Sequence, residues 1–162
     1  MKKILALLVT ALISFSAIAA DVIQASGTAS QISTDAKPHV VAFNSTDLSE
    51  SLTIKNNSVI FKENGTYFAM IGAQVGSEGE QGYVYSWMRI NGKDVANSGV
   101  AQYVRDKSFT TVLVSQTLVK ANKGDKLEIM FSTTAKGLGL MAQTQPNMPV
   151  VPAAILSVYK IN

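Results

Sequence analysis

Apolar side chains alternate with polar ones along most of this chain. From Phe109 to Ser132, Val112, Val114, Gln116 and Leu118 share one side of an extended backbone, and Leu127, Ile129 and Phe131 share one side after a break at Asn122-Lys123-Gly124-Asp125. Residues that change face at every position mark strands, and the polar break marks a turn. The same reading gives short strands at Val40 to Phe43, Leu52 to Ile54 and Val59 to Lys62. A long apolar strand follows over Thr66 to Val75, with Gly72 expected at a bulge or a close backbone approach. Tyr83 to Ile90 comes next, ended by Asn91-Gly92, a pair that tolerates positive φ and favours a tight hairpin. A weaker strand covers Val100 to Val104, a short one Leu138 to Ala142, and a closing one Ala153 to Ile161. Pro146, Pro149 and Pro152 keep the preceding segment out of helix and inner strand alike.

No heptad, helical period or internal repeat interrupts this series, so the expected fold is all-β, a two-sheet jelly-roll sandwich of about ten strands. It is assigned to residues 38–162. The stretch from Asp21 to Lys37 is small and polar, and is expected to form a flexible arm or linker.

Two strands are apolar on both faces. Tyr83, Tyr85 and Trp87 oppose Val84, Met88 and Ile90, and Phe68 and Met70 oppose Tyr67, Ile71 and Val75. One face of a two-layer sandwich should meet water and be polar. The surplus therefore points to a subunit interface, with Tyr67, Leu118 and Tyr159 as its expected residues.

Composition changes this picture in two ways. Residues 1–20 have a basic start at Lys2 and Lys3, an apolar run from Ile4 to Ile18, and small residues at Ala17, Ala19 and Ala20. This is the pattern of a secretory signal peptide, cut before Ala20 or before Asp21, and it predicts a secreted or periplasmic protein without stable membrane insertion. Removing Lys2 and Lys3 from the 14 basic residues leaves 12 against 11 acidic ones. A nearly neutral product gives no support for a nucleic-acid partner. Cysteine is absent, so packing and association must supply what disulfides supply in other exported domains.

A family resemblance appears in three places. Gly65-Thr66-Tyr67-Phe68 with Gln74-Val75 resembles the strand of tumour necrosis factor and complement C1q heads that opens Gly-x-Tyr-Phe. Val119 to Leu127, VKANKGDKL, resembles the strand of those families that ends in a Lys-Gly-Asp turn. The Asn91-Gly92 hairpin between them, Gly137-Leu138-Gly139-Leu140 after them, and the apolar last strand keep the same order. The resemblance spans about Val40 to Ile161. It departs at Ala153-Ala154-Ile155, where C1q heads carry a Phe-x-Gly-like pattern, and no Gly-x-y collagen stalk precedes the domain. The resemblance implies a ten-stranded jelly roll that packs as a homotrimer, with one sheet of each subunit facing the threefold axis, and a binding rather than catalytic role.

The residues themselves offer little catalytic chemistry. Without cysteine and with His39 as the lone histidine, thiol catalysis and the usual zinc sets are excluded, and no Gly-x-Ser-x-Gly elbow or phosphate-binding Gly-rich loop occurs. No enzyme activity and no cofactor are expected. Glu78 and Glu80 in the loop Gly76 to Gly82 are weak calcium candidates, alongside Asp94 and Asp125, and solvated surface explains all four better. Sequons begin at Asn44, Asn56 and Asn64, and they matter only in a host that glycosylates such sites.

The leading expectation is a secreted, non-catalytic module that forms a homotrimer and presents the loops Gly76 to Gly82 and Val104 to Lys107 to a protein or glycan partner. Glu78, Glu80 and Arg105 are the expected contact residues there. A monomeric lectin-like jelly roll that stacks sugars on Trp87 or Tyr103 is the rival, and a structural coat or matrix subunit a third reading.

Overall fold

The computed structural model describes residues 21–162; the expected signal peptide lies outside the described residues. Among the described residues, fourteen strands form two antiparallel sheets: β1 (Val22–Gly27), β2 (Gln31–Ile32), β3 (His39–Val40), β4 (Ser45–Glu50), β5 (Thr53–Lys55), β6 (Ser58–Ile60), β7 (Gly65–Ser77), β8 (Gly82–Ile90), β9 (Lys93–Asp94), β10 (Val100–Val104), β11 (Thr111–Ala121), β12 (Lys126–Thr133), β13 (Leu138–Leu140) and β14 (Ala154–Lys160). The first sheet runs β2-β13-β7-β14-β1-β4, with β11 also paired to β7. The second runs β10-β8-β12-β6-β5, with β3 on β12 and β9 on β8. The expected all-β sandwich is the observed one.

Alternation sets which side chains enter the space between the sheets. Tyr67, Ile71 and Val75 of β7 point inward, as do Val84 and Met88 of β8 and Leu127, Ile129 and Phe131 of β12. Burial of that order, at roughly 25 cal/mol per Å² of apolar surface, is the main source of stability in a chain without disulfides. Turn chemistry then fixes the register. Asn91 and Gly92 have φ of 49° and 78°, the left-handed values a tight hairpin demands, and β9 folds back on β8. At the start of β12, beside the same turn, the Asp125 carboxylate accepts from the Asn122 backbone N–H at 2.8 Å and from the Asn91 side chain at 2.7 Å. Those two bonds hold its carboxyl below the ordinary carboxylate value.

The N-terminal stretch is not a flexible arm. β1 lies inside the first sheet, paired along Val22 to Gly27 with β14 and on its other side with β4. Ile23 and Ala25 are fully buried, and the side chains of Gln24 and Val22 face outward. Two inward apolar residues are too few to produce a visible periodic run, yet they suffice where both edges of the strand find partners. β2 likewise pairs with β13. Nor does Gly72 mark a bulge: it sits in an unbroken ladder between Val114 and Ile155.

Candidate assembly and binding surfaces

The outer face of the first sheet is assembled by register. Leu118, Phe68, Tyr159 and Val22 stand side by side across β11, β7, β14 and β1. The next row is Gln116, Met70, Ser157, Gln24 and Leu48, and the one after it Val114, Gly72, Ile155 and Ser26. No charged side chain stands in these rows apart from Glu50 at the β4 edge. Leu118 is 60% exposed, Tyr159 46% and Val112 61%, and the Phe68 and Tyr159 rings lie 5.2 Å apart. Two of the three expected interface residues, Leu118 and Tyr159, are thus close neighbours on one apolar surface.

The third is a correction. Tyr67 is fully buried inside its own subunit, against the Phe61 ring at 4.5 Å, and cannot touch another copy. Its hydroxyl oxygen lies 3.1 Å from both the Asp21 carboxylate and the Glu63 carbonyl, and its single proton is shared between those two acceptors. Burial, and secondarily the Asp21 charge, push its pKa up to about 12. Lys160 closes the cluster, with its ammonium 2.6 Å from Glu63 and 3.7 Å from Asp21. Sequence reading separates the two faces of β7 correctly but assigns its tyrosine to the outer one. Phe68 and Met70, which carry the outer surface, are missed for the same reason. In β11 Leu113, Ser115 and Val119 face inward while Val112, Val114 and Leu118 stay exposed outside, and apolar residues on both faces of this strand were the available signal.

The expected ligand loops meet at one end of the sandwich, where the last residue of β10, Val104, pairs with Gly82. Glu78 and Glu80 border a shallow cavity of about 460 Å³ with Ala135, Lys136 and Gly137. Among the described residues no three His, Cys, Asp or Glu side chains gather as a metal set. Arg105 lies nearby with its guanidinium 5.0 Å above the Phe109 ring. His39 pairs with Asp35 at 2.7 Å beside the Phe131 ring.

The outer face of the second sheet has a different character. Tyr103 and Tyr83 pair across β10 and β8, their rings 5.1 Å apart, and Tyr85 follows 5.9 Å from Tyr83. All three are exposed. Trp87 is half-buried, and its indole N–H donates to Asp94 at 2.8 Å, the carboxylate that Arg89 also holds at 2.8 Å. Arg89 first, and then Trp87, keep the Asp94 carboxyl below its ordinary value.

No protein-family profile matches this sequence, and no curated protein matches it either. Among solved structures it is similar to the globular domain of zebrafish complement 1qA protein, with a TM-score of 0.53 and 19% identity over 88% of this chain and 98% of that one. At that identity the likeness is one of fold, and it agrees with the strand order and motifs above: the chain is a jelly roll of the C1q globular-head type.

Proposed function

We propose that this chain is an exported, non-catalytic binding module that assembles as a homotrimer through the outer face of the first sheet. The observation that carries the reading is the uncharged surface centred on Leu118, Phe68 and Tyr159. A contiguous apolar patch of this kind on an exported domain marks an association surface. Threefold closure is what the resemblance to C1q and tumour necrosis factor heads implies. The loops around Glu78, Glu80 and Arg105 then project from one end, free to meet a protein or glycan, in the secreted or periplasmic space to which the signal sequence directs the chain.

The test is the absolute mass of the protein by light scattering across a dilution series, with Leu118→Asp and Tyr159→Asp beside the parent. A mass of three chains that falls to one in both variants is the expected result. A monomeric parent at every concentration overturns the assembly and leaves the monomeric lectin reading, which the exposed Tyr103 supports.

A further inference from the structure

Three exposed lysines, Lys55, Lys62 and Lys126, surround a concave site of about 380 Å³ with Thr53, Asn56 and Ser58. Among the described residues none of the three has a carboxylate within ion-pair distance. The site belongs to the same outer face of the second sheet as the aromatic stripe. Along β12 the outward positions are Ser132, Met130, Glu128 and Lys126, and they pair in turn with Tyr85, Trp87, Arg89 and the β6 residue Ile60. The face thus runs from aromatic rings to ammonium groups over six residue steps, or about 20 Å at the rise of an extended strand.

In the middle of the run Arg89 is taken by Asp94, while Glu128 accepts from Ser58 at 3.3 Å and, among the described residues, has no cation within ion-pair distance. The lysine end sets three unpaired ammonium groups against that one carboxylate, and it favours an anion. At the aromatic end a shallow groove of about 520 Å³ passes Tyr85 and Trp87, bounded by Gly99, Ala101 and Ser132. A side chain added at Gly99 would meet nothing within 4 Å, so small residues leave the rings open to a ligand. Rings with polar tips suit a partner that is apolar on its faces and hydroxylated at its edges. The rings protrude beside a shallow groove, whereas a protein hot spot would need a pocket that takes the partner's anchors.

We propose that this face binds an acidic polysaccharide, whose sugar rings stack on Tyr83, Tyr85 and Trp87 while its carboxylates or sulfates pair with Lys55, Lys62 and Lys126. It goes beyond the loop-borne binding proposed above, on a different surface, and is independent of the trimer. The two faces are on opposite sides of the sandwich, so assembly leaves this one free.

The experiment is affinity electrophoresis and titration calorimetry of the full protein with polygalacturonate, a heparin fragment, fully methyl-esterified polygalacturonate and polyglutamate. Binding to at least one of the acidic glycans, weakened by added salt, is expected; polygalacturonate and heparin separate a carboxylate preference from a sulfate preference. Lys55→Ala with Lys126→Ala should weaken that binding about tenfold or more, the loss of one charge-assisted contact or more. Tyr85→Ala should weaken it as well, and Gly99→Val, which adds bulk at the edge of the groove, should do so without touching a charge. These substitutions lie on an exposed face, and an unchanged circular-dichroism melt shows that they act on binding. Retardation by neither acidic glycan, equal binding of the esterified polymer or of polyglutamate, or lysine variants equal to the parent would each overturn the proposal. Light scattering on the same samples separates the two readings: a trimer that binds no glycan sinks only this one, and a monomer that binds sinks only the assembly.

Discussion

The Tyr67 hydroxyl donates to the Asp21 carboxylate across 3.1 Å, joining the longest strand of the sandwich to the residue just before its first strand. Asp21 is 5% exposed and Tyr67 not exposed at all, so neither group can exchange the bond for water. Tyr67→Phe removes the donor and leaves a buried acceptor short of one partner. The expected cost is about 1–3 kcal/mol in urea unfolding, with an unchanged m-value.

The same residue gives the protein an alkaline limit. In the unfolded chain the phenol ionises near its ordinary value of 10, and in the folded one only at about 12. Its contribution to stability is therefore complete below pH 10 and is lost as pH rises toward 12, because there only the unfolded state releases the proton. The parent should lose stability through that window. Tyr67→Phe, although weaker at neutral pH, should lose less over the same interval.

Deletion of residues 21–37 tests the place of the N-terminal stretch. Since β1 joins β4 to the sheet and covers the edge of β14 that β7 leaves open, the truncated protein should show no cooperative thermal transition and should collect in the insoluble fraction. A tether would instead come away with the melting curve unchanged.

Where the sequence was legible, a strand carried its own apolar alternation. β7, β8, β11 and β12 have inward residues such as Ile71, Met88, Val119 and Ile129, and each could be located without knowing its neighbours. β1 and β4 could not. VIQASG sends only Ile23 and Ala25 to the core, and STDLSE sends no large apolar side chain there, so pairing with distant strands makes them strands. The surfaces were half legible. Outward apolar residues on β7 and β8 signalled unpartnered faces, but which of Tyr67 and Phe68 faces out depends on which side the other sheet covers. The lysine site was illegible, because Lys126 is far along the chain from Lys55 and Lys62 and only the β6-β12 pairing brings it to them.

Asp125 offers a test at the acid end. Its carboxyl is held low by the Asn122 backbone and then the Asn91 side chain, so its contribution is present above the ordinary carboxylate range and is lost as pH falls through the lower folded value. Asp125→Ala should lower the melting temperature by a few degrees at neutral pH. Its melting temperature should also depend less on pH below about 4 than that of the parent, as differential scanning calorimetry from pH 7 to 2.5 would show.

Gly72 separates folding from assembly. It lies at the centre of the apolar rows, between Val114 and Ile155, and a side chain added there would meet only the Val112 methyl, at 3.9 Å. Gly139 is the contrast, since an added Cβ would come within 2.2 Å of the Gln31 carbonyl oxygen and damage the subunit itself. Gly72→Leu should therefore leave urea unfolding of the subunit within about 0.5 kcal/mol of the parent, as for other substitutions on an open surface. If a second copy packs on this face, the leucine enters space that the copy occupies, and well-packed interfaces tolerate such overpacking poorly. Light scattering should then show Gly72→Leu as a monomer at concentrations where the parent is a trimer. A variant that keeps the parent's mass would place the assembly contact away from Leu118, Phe68 and Tyr159, and a variant that unfolds would show that Gly72 serves the subunit rather than its partners.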